Sequence, residues 1–336
     1  MRKLTNSSRE NRHASLAHTN GTRSLNLARF AWISIAASVL TMALKFGAFL
    51  LTGSVSLLSD ALESIVNLIA AIVALIALKI ADRPADERYT FGRSKAEYFS
   101  AGIEGAMVFV AAAAIIFSAI QRIIQPVSLD NVGIGLLVSV IATLINGATG
   151  LILLRTGRTH SSPTLIADGK HLLTDVITTI GVIIGVLLVT ATNWILLDPI
   201  VAILVALNII WIGIGLIRSA MAGLLDAALP DEENEQIITV LRMFMSDTAT
   251  FHGLQTRQSG RVRFVRVDVQ VPGSWTVAEG HSFGEEIEAA IRNQLPETRV
   301  TVHVEPIEDP SSYEDIPEGY IPLTTTFDAL QPRTVS

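Results

Sequence analysis

The chain has 336 residues, half of them hydrophobic and 17% charged, with a formal net charge of −6 and a mean hydropathy of +0.47. Net acidity, concentrated in the C-terminal third, argues against a nucleic-acid-binding chain. The absence of Cys excludes disulfides and thiolate metal centres, so any soft-metal chemistry must use His or Met.

Apolar residues gather between about residue 30 and residue 220, whereas residues 225–336 read as ordinary soluble sequence, which predicts two domains with a boundary near residue 225. Residues 1–29 lack the apolar core of a secretory signal. This Arg- and Ser-rich stretch, with Glu10 as its one acid, weakly resembles an organellar transit peptide and otherwise reads as a disordered cytoplasmic tail, with His13 and His18 solvated. Six segments follow, near 30–51, 56–80, 99–121, 132–154, 164–190 and 194–217, each reaching the roughly 20 residues that a membrane-spanning helix takes. Their connections alternate in charge. Arg2, Lys3, Arg9, Arg12, Arg23 and Arg29 precede the first span; Arg83, Arg88, Arg93 and Lys95 follow the second; Arg155, Arg158 and Lys170 follow the fourth; the other three connections contribute only Arg122. By the positive-inside rule both termini face the cytoplasm, in a multi-pass protein of the inner (cytoplasmic) membrane. Six buried helices of a soluble protein would leave the alternation unexplained.

Polar residues interrupt two of these spans. Asp60, Glu63, Ser64 and Asn67 lie in the second, and Asp168, His171 and Asp175 in the fifth. A charged group in a span costs about 2.5–3.5 kcal/mol on insertion scales, so something must offset it. Residues four apart share a helix face, so Glu63 and Asn67 form one oxygen-bearing stripe, and His171 and Asp175 form a facing N/O stripe. A rise of about 1.5 Å per residue along two oppositely directed helices brings both pairs near the middle of the bilayer. Two such pairs can close a four-ligand site for a divalent cation. A His–Asp or Glu–His hydrogen bond holding helices together is the alternative; two pairs at matching depth favour an ion or proton path. Asp60 and Asp168, about one turn away, line the way in or carry protons, or else serve as packing partners. No H-E-x-x-H motif supports an intramembrane hydrolase, and the chain reads as no enzyme.

In the soluble part, "DEENEQIITVLRMFMSD" predicts a helix with Asp231 as its N-cap after Pro230. "FVRVDVQV" alternates, with Val265, Val267, Val269 and Val271 on one face and Arg266, Asp268 and Gln270 on the other. "TVAEGHSFGEEIEAAIRNQL" predicts a second helix and "RVTVHVEP" another strand; with a strand from "ATFHGLQTR" the order is α-β-β-α-β, as in ferredoxin-like sheets. His303 and Glu305 share a polar strand face, and His281 lies near the start of the second helix; these groups suit a cytoplasmic metal site, or are polar residues on an exposed sheet face. Residues 309–336, with Pro310, Pro317, Pro322 and Pro332, read as a flexible tail.

Taken together, "SVSLLSDALESIVN", "PADERYTFGRSKAEYFSA", "ADGKHLLTDV" and "FHGLQTRQSGRVRFVRVDVQV…EGHSFGEEIEAAI…VTVHVEP" resemble the cation diffusion facilitators, from about residue 30 to 308. The resemblance implies a six-helix transport domain over 30–220 and a cytoplasmic ferredoxin-like, metal-sensing domain over 225–308. It also implies homodimerisation, and export of divalent metal from the cytoplasm in exchange for protons. Metal is then substrate and regulatory ligand rather than cofactor, and the partners are metal ions, protons, the lipid bilayer and a second copy of the chain. The transport site carries over as Glu63, Asn67, His171 and Asp175, and the cytoplasmic set gains His252 and Asp268. A metal-responsive regulatory or scaffold subunit with the same fold is the alternative. Two departures stand out. The commonest zinc and iron members have Asp or His followed by Asp on the second helix; Glu63 and Asn67 keep oxygen ligands but remove one negative charge and lengthen one arm, giving a harder site. Zinc, iron, manganese, cobalt and nickel all remain open as substrates. Members with a secondary loop site use Asp and two His; here Asp86 stands with Tyr89 and Arg93, and arginine cannot ligate a cation, so that site is expected to be absent.

Overall fold

The computed structural model describes residues 27–52, 55–125, 132–192, 194, 196–314 and 319–323. Residues 1–26 of the expected N-terminal tail, with His13 and His18, lie outside the described residues, as do 324–336.

Among the described residues, six long helices come first: α1 (Ala28–Thr52), α2 (Val55–Ala81), α3 (Ala96–Ile124), α4 (Val132–Thr159), α5 (Pro163–Thr192) and α6 (Leu197–Leu224). Among the described residues, five stretches are long and apolar enough to cross a membrane, and less than half of each is buried by the rest of the protein. Val110, Leu144, Leu204 and Trp211 point outward accordingly, since apolar surface in lipid carries no penalty and helix contacts rest on close packing instead. α3 lies along α6, α4 along α5 and α1 along α2, while α5 also touches α2, α3 and α6 and so stands at the centre of the bundle. Small residues permit the closest approach. A Cβ on Gly169 of α5 would fall 2.8 Å from the Leu154 nitrogen of α4, so any larger residue would push these helices apart.

The C-terminal part is α+β, with α7 (Asp231–Phe244), β1 (Thr250–Ser259), β2 (Val262–Val271), α8 (Val277–Gln294) and β3 (Thr298–Pro306). The sheet order is β1-β2-β3, antiparallel between β1 and β2 and parallel between β2 and β3; a parallel return needs a crossover, which α8 supplies. Val265, Val267, Val269 and Val271 are buried together with Ile237, Leu241, Phe251, Ile287 and Ile291, as the alternation expects. α8 opens with a capping box, Thr276 accepting from the Glu279 amide and Glu279 closing back on Thr276. α7 differs slightly from expectation. It begins at Asp231 with Pro230 in the N-cap position and no side-chain cap; Asp231, Glu232 and Glu233 occupy its first turn, where the positive end of the helix dipole favours them.

The C-terminal stretch departs further from the flexible reading. Pro310–Tyr313 forms a short 3-10 turn with Asp309 accepting from the Ser311 amide. The Ile321 amide donates to Leu254 O at 2.7 Å, and Leu323 joins the domain core. Two apolar side chains with backbone anchors outweigh the proline content here.

The β1–β2 hairpin docks against the helical bundle. At its tip Gly260 adopts φ +57°, and a Cβ there would fall 2.5 Å from Ser94 O, so both the backbone and the contact require glycine. Ser94 Oγ and Ser259 Oγ lie 3.2 Å apart. Arg261 pairs with Asp82, just past α2, and its Nε donates to Glu97 Oε1 at 3.2 Å. Glu97, fully buried at the start of α3, also accepts from Ser162 Oγ just before α5. In the connection after α6, Asp226 Oδ1 lies 2.9 Å from both Lys95 Nζ and Arg257 Nη1. Partial burial raises the Asp226 carboxyl, but hydrogen bonds and charge from Lys95 and Arg257 outweigh this and hold it below its ordinary value.

A depressed folded-state value means that this contribution is complete above the unfolded value of about 3.9 and disappears as pH falls through the folded one. Acidification from pH 7 to below about 4 should therefore loosen the hairpin from the bundle, seen as faster hydrogen exchange across residues 257–263. Asp226→Asn should show the loosened exchange already at pH 7.

Candidate metal sites

α5 carries Asp168, His171 and Asp175, and α2 carries Asp60, Glu63 and Asn67. The structure joins three of the four residues expected at the membrane site. Asn67 and His171 are buried; Asn67 Nδ2 donates to Asp175 Oδ2 at 2.5 Å, and His171 Nε2 lies 3.0 Å from Asn67 Oδ1. With the amide so oriented, Oδ1 accepts, which matches a hydrogen on His171 Nε2. The side chains of residues 51–63, Asp60 and Glu63 among them, lie outside the described residues; the α2 backbone sets Glu63 one turn from Asn67 on the same face.

Two charged residues in the bundle escaped the sequence reading. Lys45 on α1 faces Asp175 electrostatically, and Glu104 on α3 is fully buried. Each had a signal: Lys45 is the single charge between Arg29 and Asp60, and Glu104 the single charge between Glu97 and Arg122. Neither has a ligand-type partner at helical spacing, which is why a search for pairs passes over them.

In the loop between α2 and α3, the trio Asp86, Tyr89 and Arg93 forms an ion pair where the resemblance would have a metal site. Arg93 pairs with Asp86 and lies 4.2 Å from the Tyr89 ring centroid, while the Asp86 carboxylate accepts from the Arg88 and Tyr89 amides at 3.1 and 2.9 Å. The Arg93 hydrogen bond and the Tyr89 amide hold the Asp86 carboxyl below its ordinary value. Its oxygens are thus committed to a guanidinium and two amides.

A second N/O cluster lies on the polar face of the α+β sheet. His252 on β1 stands opposite Asp268 on β2, which stands opposite His303 on β3. Ligand atoms of His252, Asp268 and Glu305 lie within 4.8 Å of one another. His252 Nε2 is 2.9 Å from Glu305 Oε2, and His303 Nε2 is 3.3 Å from Glu305 Oε1. Asp268 and Glu305 are buried whereas His303 is 53% exposed, so the face is a partly covered acidic pocket rather than a solvated surface. A register shift between His252 and Gln255, with Gly253 at φ +61°, turns the strand next to His252, as bulges beside sites do. Tyr313 sets its ring edge-on to His252 at 6.2 Å. His281 stands apart. It is exposed on α8, and α8 packs over the valine side of β3, with Gly280 against Val304 and Gly284 against Val302; the sheet separates it from the cluster.

Comparison with known proteins follows the same two-part division. A family model of the cation efflux transmembrane domain matches residues 31–225, and one of the cation efflux protein cytoplasmic domain matches residues 229–307. The chain is 46% identical over 285 residues to an uncharacterized transporter, sll1263, of Synechocystis sp., covering 85% of this chain and 92% of that relative. It is 30% identical over 282 residues to the cation-efflux pump FieF of Klebsiella pneumoniae, covering 83% and 92%. A solved structure of the metal-bound C-terminal domain of the CzcD transporter from Thermotoga maritima is 25% identical, covering 24% of this chain and 92% of that one at a TM-score of 0.22.

The Asn67 amide bonds both α5 side chains. Asn67→Leu keeps the volume but removes one hydrogen-bond partner from each of His171 and Asp175, which should lower stability by about 1–3 kcal/mol. Thermal unfolding in detergent measures this; an unchanged midpoint would show that the amide bridge contributes nothing.

Proposed function

Since this chain belongs to the cation efflux family, whose members are transporters of divalent metals and not enzymes, we propose that it exports a divalent cation from the cytoplasm in exchange for protons, through a site formed by Glu63, Asn67, His171 and Asp175. The observation that carries this reading is the Asn67 amide linking His171 to Asp175 across two helices. In that network the groups a cation would use are held together by hydrogen bonds: the Asn67 amide donates to Asp175, and His171 Nε2 meets Asn67 Oδ1. When His171 is imidazolium, a cation that takes Nε2 displaces one of its two ring protons and leaves neutral imidazole with its hydrogen on Nδ1, since ligands coordinate in their deprotonated form. Metal in and proton out are thereby one event at His171. Asp175 and Glu63 balance the charge of the bound cation, and Lys45 balances Asp175 when the cation has left. Alternating exposure of this midplane site to the two sides completes transport, with Asp60 lining the way in. The positive loops after α2 and α4 set the cytoplasmic side, with both termini facing it.

We further propose that the domain over 225–308 senses metal without carrying it, and that two copies of the chain form a homodimer. His252, Asp268, Glu305 and His303 form the sensing site, and their donor set of imidazole and carboxylate suits a divalent transition metal. Lying outside the spans, metal there acts only through its differential affinity for two conformations.

Asp175→Ala removes a carboxylate with little volume and should abolish metal uptake into inverted vesicles while leaving the protein folded; normal uptake would sink the assignment. Asn67→Asp restores a second-helix carboxylate pair and should alter the preference among zinc, iron, manganese, cobalt and nickel. An unchanged ion profile would remove Asn67 from the ligand set.

For the sensing site, His252→Ala should weaken cobalt binding to the cytoplasmic cluster by at least about tenfold, an order typical of losing part of a metal's coordination shell. The same variant should reduce transport at low metal and leave transport at saturating metal partly intact. Complete loss of transport in a folded protein would contradict a sensing role, and His281→Ala should alter neither measurement.

A further inference from the structure

The stretch that follows β3 is anchored beside the cytoplasmic cluster. The Ile307 amide donates to Val271 O at 2.8 Å, and the Asp309 amide to Pro306 O at 3.2 Å, closing a turn at the end of β3. Buried Ser312 donates from Oγ to Pro306 O at 2.9 Å, and the Tyr313 hydroxyl donates to Ile307 O at 3.1 Å. Farther on, the Ile321 amide meets Leu254 O on β1, two residues from His252 and at the opposite edge of the sheet. The chain is thus pinned to both strands that supply outer members of the cluster, His252 on β1 and Glu305 on β3. His252 and His303 flank Asp268 in one row across the sheet, and both reach Glu305, at 2.9 and 3.3 Å. Strand periodicity treats them alike, but the His252 side chain is 11% exposed and that of His303 53%. The Tyr313 ring stands against the covered one, with centroids 6.2 Å apart and planes at 82°.

We propose that Asp309–Tyr313 is a strap over the cytoplasmic metal site and that Tyr313 is its positioning residue. The ring holds the His252 imidazole against Glu305 and closes that side of the cluster to water, so a bound divalent cation keeps His252 as a ligand and leaves slowly. The inference rests on the sensing site proposed above. An imidazole leaves a metal by turning about its terminal torsion, which is broad for His, or by swinging its side chain away. Tyr313 stands in the path of both movements. Its own place is set by Ile307 O and by the Ser312 bond to Pro306 O, not by His252, so it can act as a fixed wall. With its hydroxyl engaged by a carbonyl, Tyr313 supplies shape and cover rather than a coordinating oxygen. Groups that orient a ligating imidazole matter nearly as much as the ligand; losing one costs about 10–100-fold in metal affinity. Metal and water then exchange on the open side, at His303.

Full-length protein in detergent tests this, with Asp175→Ala in every sample to remove the membrane site. Co²⁺ release into excess chelator is followed, and the phase that His252→Ala abolishes belongs to the cytoplasmic cluster. Tyr313→Ala should speed that phase by about tenfold or more, and Tyr313→Phe, which keeps the ring, should return it to the parent rate. Ser312→Ala, which frees the strap from Pro306 O with little change in volume, should speed it severalfold and provides the test if Tyr313→Ala fails to fold. In metal-free protein, diethyl pyrocarbonate should modify His252 severalfold faster in Tyr313→Ala than in the parent. The rate at His303, already open, should not change, a pattern that general loosening of the domain would not give. Parent-like release and parent-like His252 modification in folded Tyr313→Ala would overturn the strap; faster modification with parent-like release would overturn its hold on the metal. If no Co²⁺ phase responds to His252→Ala, the sensing site itself is overturned, and the modification rates still decide whether Tyr313 covers His252.

Discussion

A polar side chain inside a bilayer has no water to turn to, so its partners must come from the protein, and α5 is where this chain meets that constraint most often. One stripe of that helix carries Asp168, His171 and Asp175. Their partners come from different neighbours: Asn67 on α2 for the last two, and Glu104 on α3 with Ser34 on α1 in the surroundings of the first. The central position of α5 follows from this need, and the glycine contact with α4, where Gly169 meets Leu154, holds its other side at close range. Shifting α5 by a turn would break the Asn67 bridge.

The same economy of partners connects the bundle to the α+β domain. Glu97 is fully buried and would be untenable alone; Ser162 from the start of α5 and Arg261 from the β hairpin both meet it. Arg261 also reaches Asp82 at the end of α2. One guanidinium therefore touches the end of α2 and the start of α3, and through Glu97 meets Ser162 just before α5. Asp226, between Lys95 and Arg257, ties the connection after α6 to the same region. Displacement of the hairpin would be felt at the ends of α2, α3 and α5 together.

On the sheet itself, the two faces divide the work. The valine face seals against α7 and α8, and this fixes which way His252, Asp268 and Glu305 must point, because alternate residues on a strand project oppositely. Tyr313 covers part of that face, so the acidic pair is shielded while His303 stays open to solvent.

Much of this was legible in the sequence for reasons of local periodicity. Predominantly apolar runs long enough to span a bilayer yield α1–α6, strict alternation yields β2 and β3, and the i,i+4 spacing of Asn67 with Glu63 and of His171 with Asp175 puts each pair on one face whatever the packing. Thr276 and Glu279 signal the start of α8 through capping chemistry that is complete within four residues. What lay beyond the sequence depends on helices meeting in space. Glu104 has no ionisable partner within a turn of α3, so only the packing of α3 on α5 brings it to Asp168. His281 and His303 look equivalent as ligands until the sheet is found to lie between α8 and the polar face. Arg93 reads as one more loop cation until it pairs with Asp86, and residues 310–323 read as a tail until Ile321 and Leu323 meet the core. Local pattern determines which face a residue occupies; only tertiary contact decides what that face meets, because the partner is encoded elsewhere in the chain.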